Sequence, residues 1–185
     1  MVETTALIGE PLALDLVNTR TAGADLLASP AQLAGWLALE AERAPELAGM
    51  RADGAALAAV RDAREHALAV FTALLAGRRP PAPALRGLQA ALDAAPSRAR
   101  VGWDGQRVTL RSGRAGPAAA RLGAVLAEAA VTLLADPAIG TLRRCAADDC
   151  VLLFLPAHPR RRWCSPDRCG NRVRVARYYE RRRNG

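Results

Sequence analysis

Four cysteines constrain this chain of 185 residues more than any other feature. They fall at Cys145-x4-Cys150-x13-Cys164-x4-Cys169, and the preceding 144 residues contain none. Two equally spaced pairs joined by a short loop can bring four thiolates to the corners of a tetrahedron, which is what a structural zinc ion takes. A four-residue gap lies at the edge of the usual spacing, so the pattern is weaker than paired C-x2-C knuckles. Size strengthens it. The large apolar side chains nearby are few (Val151, Leu152, Leu153, Phe154, Leu155 and Trp163), and a module this small needs a metal or disulfides to stay folded. No secretory leader is expected, because Glu3 stands where a basic n-region would be and Glu10, Pro11 and Asp15 interrupt any apolar run. A cytoplasmic location with reduced thiols follows as the expectation, which disfavours disulfides. A redox dithiol is the other alternative, but it usually uses C-x-x-C at a helix start. A catalytic thiol would want an imidazole, and only His158 is near. The expectation is one structural Zn2+ held by Cys145, Cys150, Cys164 and Cys169.

Charge is segregated in the same way. Residues 1–142 carry 14 Arg and 14 Asp/Glu, whereas residues 143–185 carry 12 Arg and 4 Asp/Glu, so the last 43 residues hold the whole formal charge of +8. Zinc on four thiolates would lower that to about +6. There is no Lys. Arg143, Arg144, Arg162, Arg168 and Arg172 lie beside the ligands, where they can neutralise the anionic cluster. The run Arg160-Arg161-Arg162 and the terminal segment Arg172–Arg183 remain. Read as a helix, that segment sets Arg174, Arg177 and Arg181 on one face and Val173, Ala176 and Tyr179 on another that can pack on the zinc core. Arg160, Arg161, Arg172, Arg174, Arg177 and Arg181 are therefore the candidate nucleic-acid contacts, with Arg172 balanced between phosphate and the cluster. Around the metal, Trp163 reads as core, Gly170 as a residue at positive φ, and Asn171 as the cap of the following helix.

The neutral first part reads as mainly α. Ala (42) and Leu (26) far outnumber Ile (2), and the first two favour helices. Pro11 at a first helical position argues for a short helix within residues 9–19, against the strand-like alternation of Leu12, Leu14 and Leu16. Ser29-Pro30 starts a second helix carrying Leu33, Trp36, Leu37 and Glu40; Asp53 caps a long one through Leu75, stopped by Gly77. A break at Arg78–Pro83 precedes a helix around Leu85, Leu88 and Leu92, and a last one spans Pro117–Ala135 before Asp136-Pro137. Between them, residues 98–103 and 106–111 flank Asp104-Gly105, a two-residue type I′ hairpin signature. No uninterrupted apolar window approaches the ~18 residues of a membrane span. His66 stands alone, and no glycine-rich phosphate loop or nucleophile elbow occurs, so no enzyme is expected. The expected fold is an α-rich domain with one β-hairpin (1–140, hairpin about 98–111) plus a small four-cysteine zinc-finger module ending in a basic helix (141–185).

The strings Arg162-Trp163-Cys164-Ser165 and Cys169-Gly170-Asn171-Arg172, with the earlier cysteine pair, resemble the CGNR-type zinc finger. Leu12-Ala13-Leu14-Asp15-Leu16-Val17-Asn18-Thr19 resembles the start of the ABATE domain that accompanies this finger in bacterial proteins. The resemblance covers the whole chain and implies a bacterial transcription regulator. Its finger is expected to bind DNA, and its N-terminal domain is suspected of sensing a small ligand in stress responses. The same resemblance implies Cys145, Cys150, Cys164 and Cys169 as metal ligands. The chain departs from the family at Leu155-Pro156-Ala157-His158-Pro159, where a polar stretch is usual, and at Ser165-Pro166 in place of Ser-Met.

The leading reading is a DNA-binding regulator with no membrane partner. The alternative is a zinc-stabilised protein-interaction scaffold, or an RNA-binding module, in which the arginines serve the cluster and the body. A ligand site would be an apolar pocket between helices and hairpin, near Trp36 or Trp103. Operator, ligand and oligomeric state are not encoded legibly.

Overall fold

A computed structural model describes residues 8–183 of the chain. In order it contains α1 (Leu12–Asn18), α2 (Pro30–Glu40), α3 (Gly54–Leu75), α4 (Ala82–Ala94), β1 (Ser97–Trp103), β2 (Val108–Arg114), α5 (Ala118–Ala135), β3 (Arg143–Arg144), β4 (Leu153–Phe154) and α6 (Asn171–Arg183). Local chemistry sets most boundaries. Ser29 and Asp53 accept hydrogen bonds from the Gln32 and Ala56 amides, closing the starts of α2 and α3, each worth about 1 kcal/mol. α3 ends in a Schellman motif: the Gly77 amide donates to Leu74 O (2.9 Å) and the Arg78 amide to Ala73 O (2.8 Å), with Gly77 at φ +63. The ambiguous first segment is helical, but Pro11 is its N-cap, not its first helical residue. Leu12, Leu14 and Leu16 mimic a strand because α1 is buried almost all round.

The helices bury two hydrophobic clusters, to both of which α1, α3 and α5 contribute. Trp36 is buried among Leu16, Leu27, Leu33, Leu37, Leu57, Val60 and Leu126, which joins α1, α2, α3 and α5. Phe71, Val70, Leu14, Val17, Leu88 and Leu133 form the other, which also takes in Leu153 of β4. Each fully buried side chain of this size contributes about 1.5–3 kcal/mol relative to exposure. Alanine sets how closely α3 and α5 approach: a Cβ added at Gly123 would sit 3.4 Å from the Ala59 Cβ. α5 is long and apolar enough to cross a membrane by composition alone. Its Leu122, Ala124, Leu126, Ala127 and Ala130 instead line the protein core, which accounts for that apolarity.

Charge is buried in this interior too. Arg64, on the inward face of α3, forms a two-pronged pair with Asp25 (2.6 and 2.7 Å) and donates to Thr19 Oγ1 at 3.0 Å. The Arg64 guanidinium holds the Asp25 carboxyl down at about 2. Asp15 and Glu40 are fully enclosed. Asp15 accepts from the Gly9 amide (2.9 Å), the Glu10 amide (3.1 Å) and Arg43 Nη1 (2.7 Å). Glu40 reaches Arg43 at 3.7 Å, and its Oε1 has no hydrogen-bond partner among the described residues. Burial pushes Asp15 up to about 6, against those three donors. Burial, reinforced by the neighbouring Asp15 carboxylate, pushes Glu40 up to about 7.

β1 and β2 pair antiparallel from Ser97↔Arg114 to Trp103↔Val108. The connection is therefore the four residues Asp104–Arg107, not the expected two-residue type I′ turn. That turn needs positive φ at both central positions, and only Gly105 has it (φ +101). Asp104 closes the loop with its own carboxylate, which accepts from the Gln106 and Arg107 amides at 3.0 Å each. The expected face of Val101, Trp103, Val108 and Leu110 is present, but it lies in solvent and not against the helices.

Candidate metal centre

β3 and β4 form a two-residue ladder with Arg143 opposite Phe154 and Arg144 opposite Leu153. The ladder turns back through Cys145–Leu152, closed by Cys145 N→Leu152 O (2.9 Å) and Cys150 N→Ala147 O (3.0 Å). This knuckle presents two cysteines, and the Ala146 amide, bonded to Arg162 O at 2.9 Å, lays the third against them. The fourth, Cys169, comes from a tight π-type turn over Pro166–Gly170 that leads into α6. Its start is capped by Ser165, whose hydroxyl accepts from the Arg168 amide at 3.2 Å. Asn171, expected as the cap, already has helical φ/ψ and an exposed side chain. Gly170 is buried at ordinary negative φ; its missing Cβ leaves room under Trp163, whose ring would lie 3.4 Å away. Trp163 packs with the cysteines as core.

The four Sγ atoms all lie within 4.8 Å of one another. Cys150–Cys164 and Cys164–Cys169 are 3.8 and 3.5 Å apart, close to the ~3.8 Å edge of a tetrahedron with Zn–S bonds of about 2.3 Å. The donor chemistry points the same way. The Cys164 thiol, as hydrogen-bond donor, pulls Cys150 down to about 5. The bond to Cys150 pushes Cys164 up, with burial adding to it, and burial and the Cys150 thiolate push Cys169 up to about 11. Sulfurs this close repel one another as thiolates, and a divalent cation between them removes that repulsion. Outer partners are in place. The Cys164 amide donates to Cys145 Sγ (3.4 Å), and Arg172 Nη2 reaches Cys169 Sγ at 3.6 Å while pairing with Asp149 at 2.6 Å. Cys145, Cys150, Cys164 and Cys169 thus fit one zinc ion in a closed, structural set.

The arginines divide into two groups. Arg161, expected among the nucleic-acid contacts, is committed inside the protein. Its guanidinium pairs with Glu10 (2.6 Å), donates to the carbonyls of Leu155 (3.2 Å), Trp163 (3.1 Å) and Cys164 (2.5 Å), and lies 4.5 Å over the Phe154 ring. Arg143 similarly braces the loop by donating to Pro159 O (2.9 Å) and Arg161 O (3.2 Å). Arg172 resolves toward the cluster, as above. Arg160, Arg174, Arg177 and Arg181 are exposed. Of the α6 residues expected to pack on the zinc core, only Val173 does; Ala176 and Tyr179 are in solvent, and α6 projects from the module.

The module is also clamped to the body, by residues that the sequence reading left without a role. Asn18, at the end of α1, gives its Nδ2 to Leu153 O and takes the Leu153 amide on Oδ1, both at 2.8 Å and buried. It therefore acts as a third strand beside β4. Glu10 adds a second clamp, accepting from Arg161 and from the Leu155 amide (2.9 Å). The only advance signal was that Asn18 is polar at the end of an apolar segment.

Two family models match the chain. One, ABATE, described as "putative stress-induced transcription regulator", covers residues 10–137. The other, the CGNR zinc finger, covers residues 141–182. Neither describes an enzyme family, and no curated protein matches the chain. With the first model spanning well over half of the sequence and the second ending on the cysteine quartet and its helix, the chain belongs to the ABATE family and carries a CGNR zinc finger.

Proposed function

We propose that the chain is a zinc-dependent DNA-binding regulator whose reading element is α6. The observation that carries this is the state of that helix. Arg174, Arg177, Arg181, Arg182 and Arg183 are exposed, and none of them makes a salt bridge among the described residues. A 13-residue helix spans about 20 Å and is sized for a major groove. Zinc and the capped turn at Pro166–Gly170 fix its first residue, so the metal orients the reader without touching nucleic acid. With Arg161 and Arg172 engaged elsewhere, three to five phosphate contacts are left for α6 and Arg160, giving a log–log salt slope of about −3 to −5. Anisotropy titrations of zinc-loaded protein on duplex DNA at several salt concentrations test this. A flat salt response, or equal binding by Arg174→Ala/Arg177→Ala/Arg181→Ala, refutes it; preference for single-stranded RNA over duplex supports the RNA alternative.

A second observation bears on ligand sensing. A cavity of about 720 Å³ opens between α5 and the base of the β1–β2 ribbon, lined by Met50, Ser112, Arg114, Val125, Ala129 and Leu133 among others. We place any small-molecule site there, not beside Trp36, which is buried in the core, or Trp103, which is in solvent. Thermal-shift screening of the wild type against Ala129→Trp, which fills the cavity, tests it. A stabilising compound that works equally on both refutes the placement.

A further inference from the structure

The β1–β2 ribbon has two unlike faces, fixed by its register. Val101 pairs with Leu110 and Trp103 with Val108, so all four side chains share one face; Arg98, Arg100, Gly102 and Thr109 belong to the other. The apolar four are exposed to 76%, 65%, 68% and 72% for Val101, Trp103, Val108 and Leu110 respectively. Isolated exposed apolar residues need no explanation, but four adjoining ones on a ribbon do. A two-stranded ribbon with an uncovered apolar face is marginal in water. This one is anchored at its base, where Arg114 donates to Ala95 O (2.6 Å) and pairs with Glu128 of α5.

We propose that this face is a homodimer interface, with the ribbon of a second copy of this chain packed upon it about a two-fold axis. Three features select a second copy. The patch is self-complementary: around a two-fold axis each Trp103 meets the partner copy's aliphatic surface, and no second binding surface has to exist. No charged side chain lies among the four pairing residues, so closing the face strands no charge; the opposite face, with Arg98 and Arg100, would repel its copy. The area is also sufficient. At those exposures the four residues present on the order of 500 Å² per copy, so pairing can bury up to about 1,000 Å² from them, the low end of specific interfaces, before their neighbours on the ribbon add to it. Two twisted ribbons stacked about 10 Å apart make a small four-stranded sandwich.

Sedimentation equilibrium of the zinc-loaded full chain from 1 to 200 µM tests the proposal. A monomer–dimer equilibrium with a dissociation constant in the micromolar range or tighter is expected. Leu110→Asp and Trp103→Ser should each weaken it at least tenfold, with far-UV circular dichroism and zinc content unchanged, whereas Arg100→Ser on the opposite face should leave it intact. A chain that stays monomeric at 200 µM overturns the proposal. So does a dimer that Arg100→Ser disrupts and Leu110→Asp does not. Binding of the monomer to duplex DNA or anionic vesicles that is lost in Trp103→Ser overturns it as well, by assigning the face to nucleic acid or lipid.

Discussion

Replacing Glu40 by Gln should stabilise the protein strongly above neutral pH and only weakly at pH 5. Glu40 is buried with Arg43 at 3.7 Å, and its Oε1 has no hydrogen-bond partner among the described residues. Its pKa rises from 4.5 in a free chain to about 7 in the fold. The folded state therefore binds the proton more tightly than the unfolded chain. Between those two values the folded state holds more protons, so its contribution to stability is present at acid pH and is lost as pH rises toward 7. A tenfold change in proton affinity is about 1.4 kcal/mol, so ionised Glu40 costs the fold roughly 3 kcal/mol above pH 7.5, part of it shared with Asp15. Gln keeps the shape and removes the charge. Urea unfolding of zinc-loaded wild type and Glu40→Gln at half-unit steps from pH 5 to 8.5 would measure the difference, in which zinc release cancels because both proteins share the site. The expected gain grows from under about 1 kcal/mol at pH 5 to about 3 kcal/mol at pH 8. A difference independent of pH, or a loss at pH 8, would show that Glu40 is ionised and well solvated in the fold and would refute the burial argument.

Asn18→Ala leaves the buried Leu153 N–H and C=O unpaired and should cost about 2–4 kcal/mol, with the Leu153 amide losing its hydrogen-exchange protection first. Asp25→Asn strands the Arg64 guanidinium in the interior and should cost about 3–5 kcal/mol, read as a drop in urea midpoint that Arg64→Met on the same background partly restores. Chelation of zinc, or Cys164→Ser, should unfold the knuckle and release α6 while leaving α3 and α5 intact, seen as a limited loss of helical circular dichroism and of amide protection confined to residues 143–183. Arg161→Ala should lower the thermal midpoint by loosening the Glu10 clamp, whereas the triple α6 variant should leave it unchanged.

What the sequence displayed well was whatever neighbouring residues decide. Ser29, Asp53 and Gly77 cap and stop their helices through bonds spanning a few residues, so reading them in order was enough. The cysteine quartet was legible for a related reason: its chemistry is rare, and its spacing suffices. Long-range pairing was not. Glu40 and Arg64 fall on the apolar stripes of α2 and α3, which hints at burial, but the partners that tertiary packing supplies are not visible in order: Arg43 reaches Asp15 across 28 residues and Asp25 reaches Arg64 across 39. Arg161 and Arg160 are adjacent and identical in composition terms, yet one is walled in by Glu10, 151 residues away, and the other faces solvent. The hairpin shows both cases. Which residues share its apolar face followed from alternation, but the register did not: a two-residue turn would set Trp103 opposite Gln106, whereas the Asp104 side chain closes a longer loop and Trp103 faces Val108. Alternation also cannot say which medium the apolar face meets.

The exposure of α6 has a thermodynamic consequence of its own. A helix of 13 residues that buries little beyond part of Val173 lacks the packing that sustains helices this short in water. Arg174 and Arg177, then Arg177 and Arg181, repel at three- and four-residue spacing. Its order in the free protein is thus set by the ionic atmosphere, with polyvalent anions acting as its missing core. Added salt should raise the helicity of α6 by screening these pairs and, over the same concentrations, weaken its hold on a polyanion. The two responses run in opposite directions from one cause.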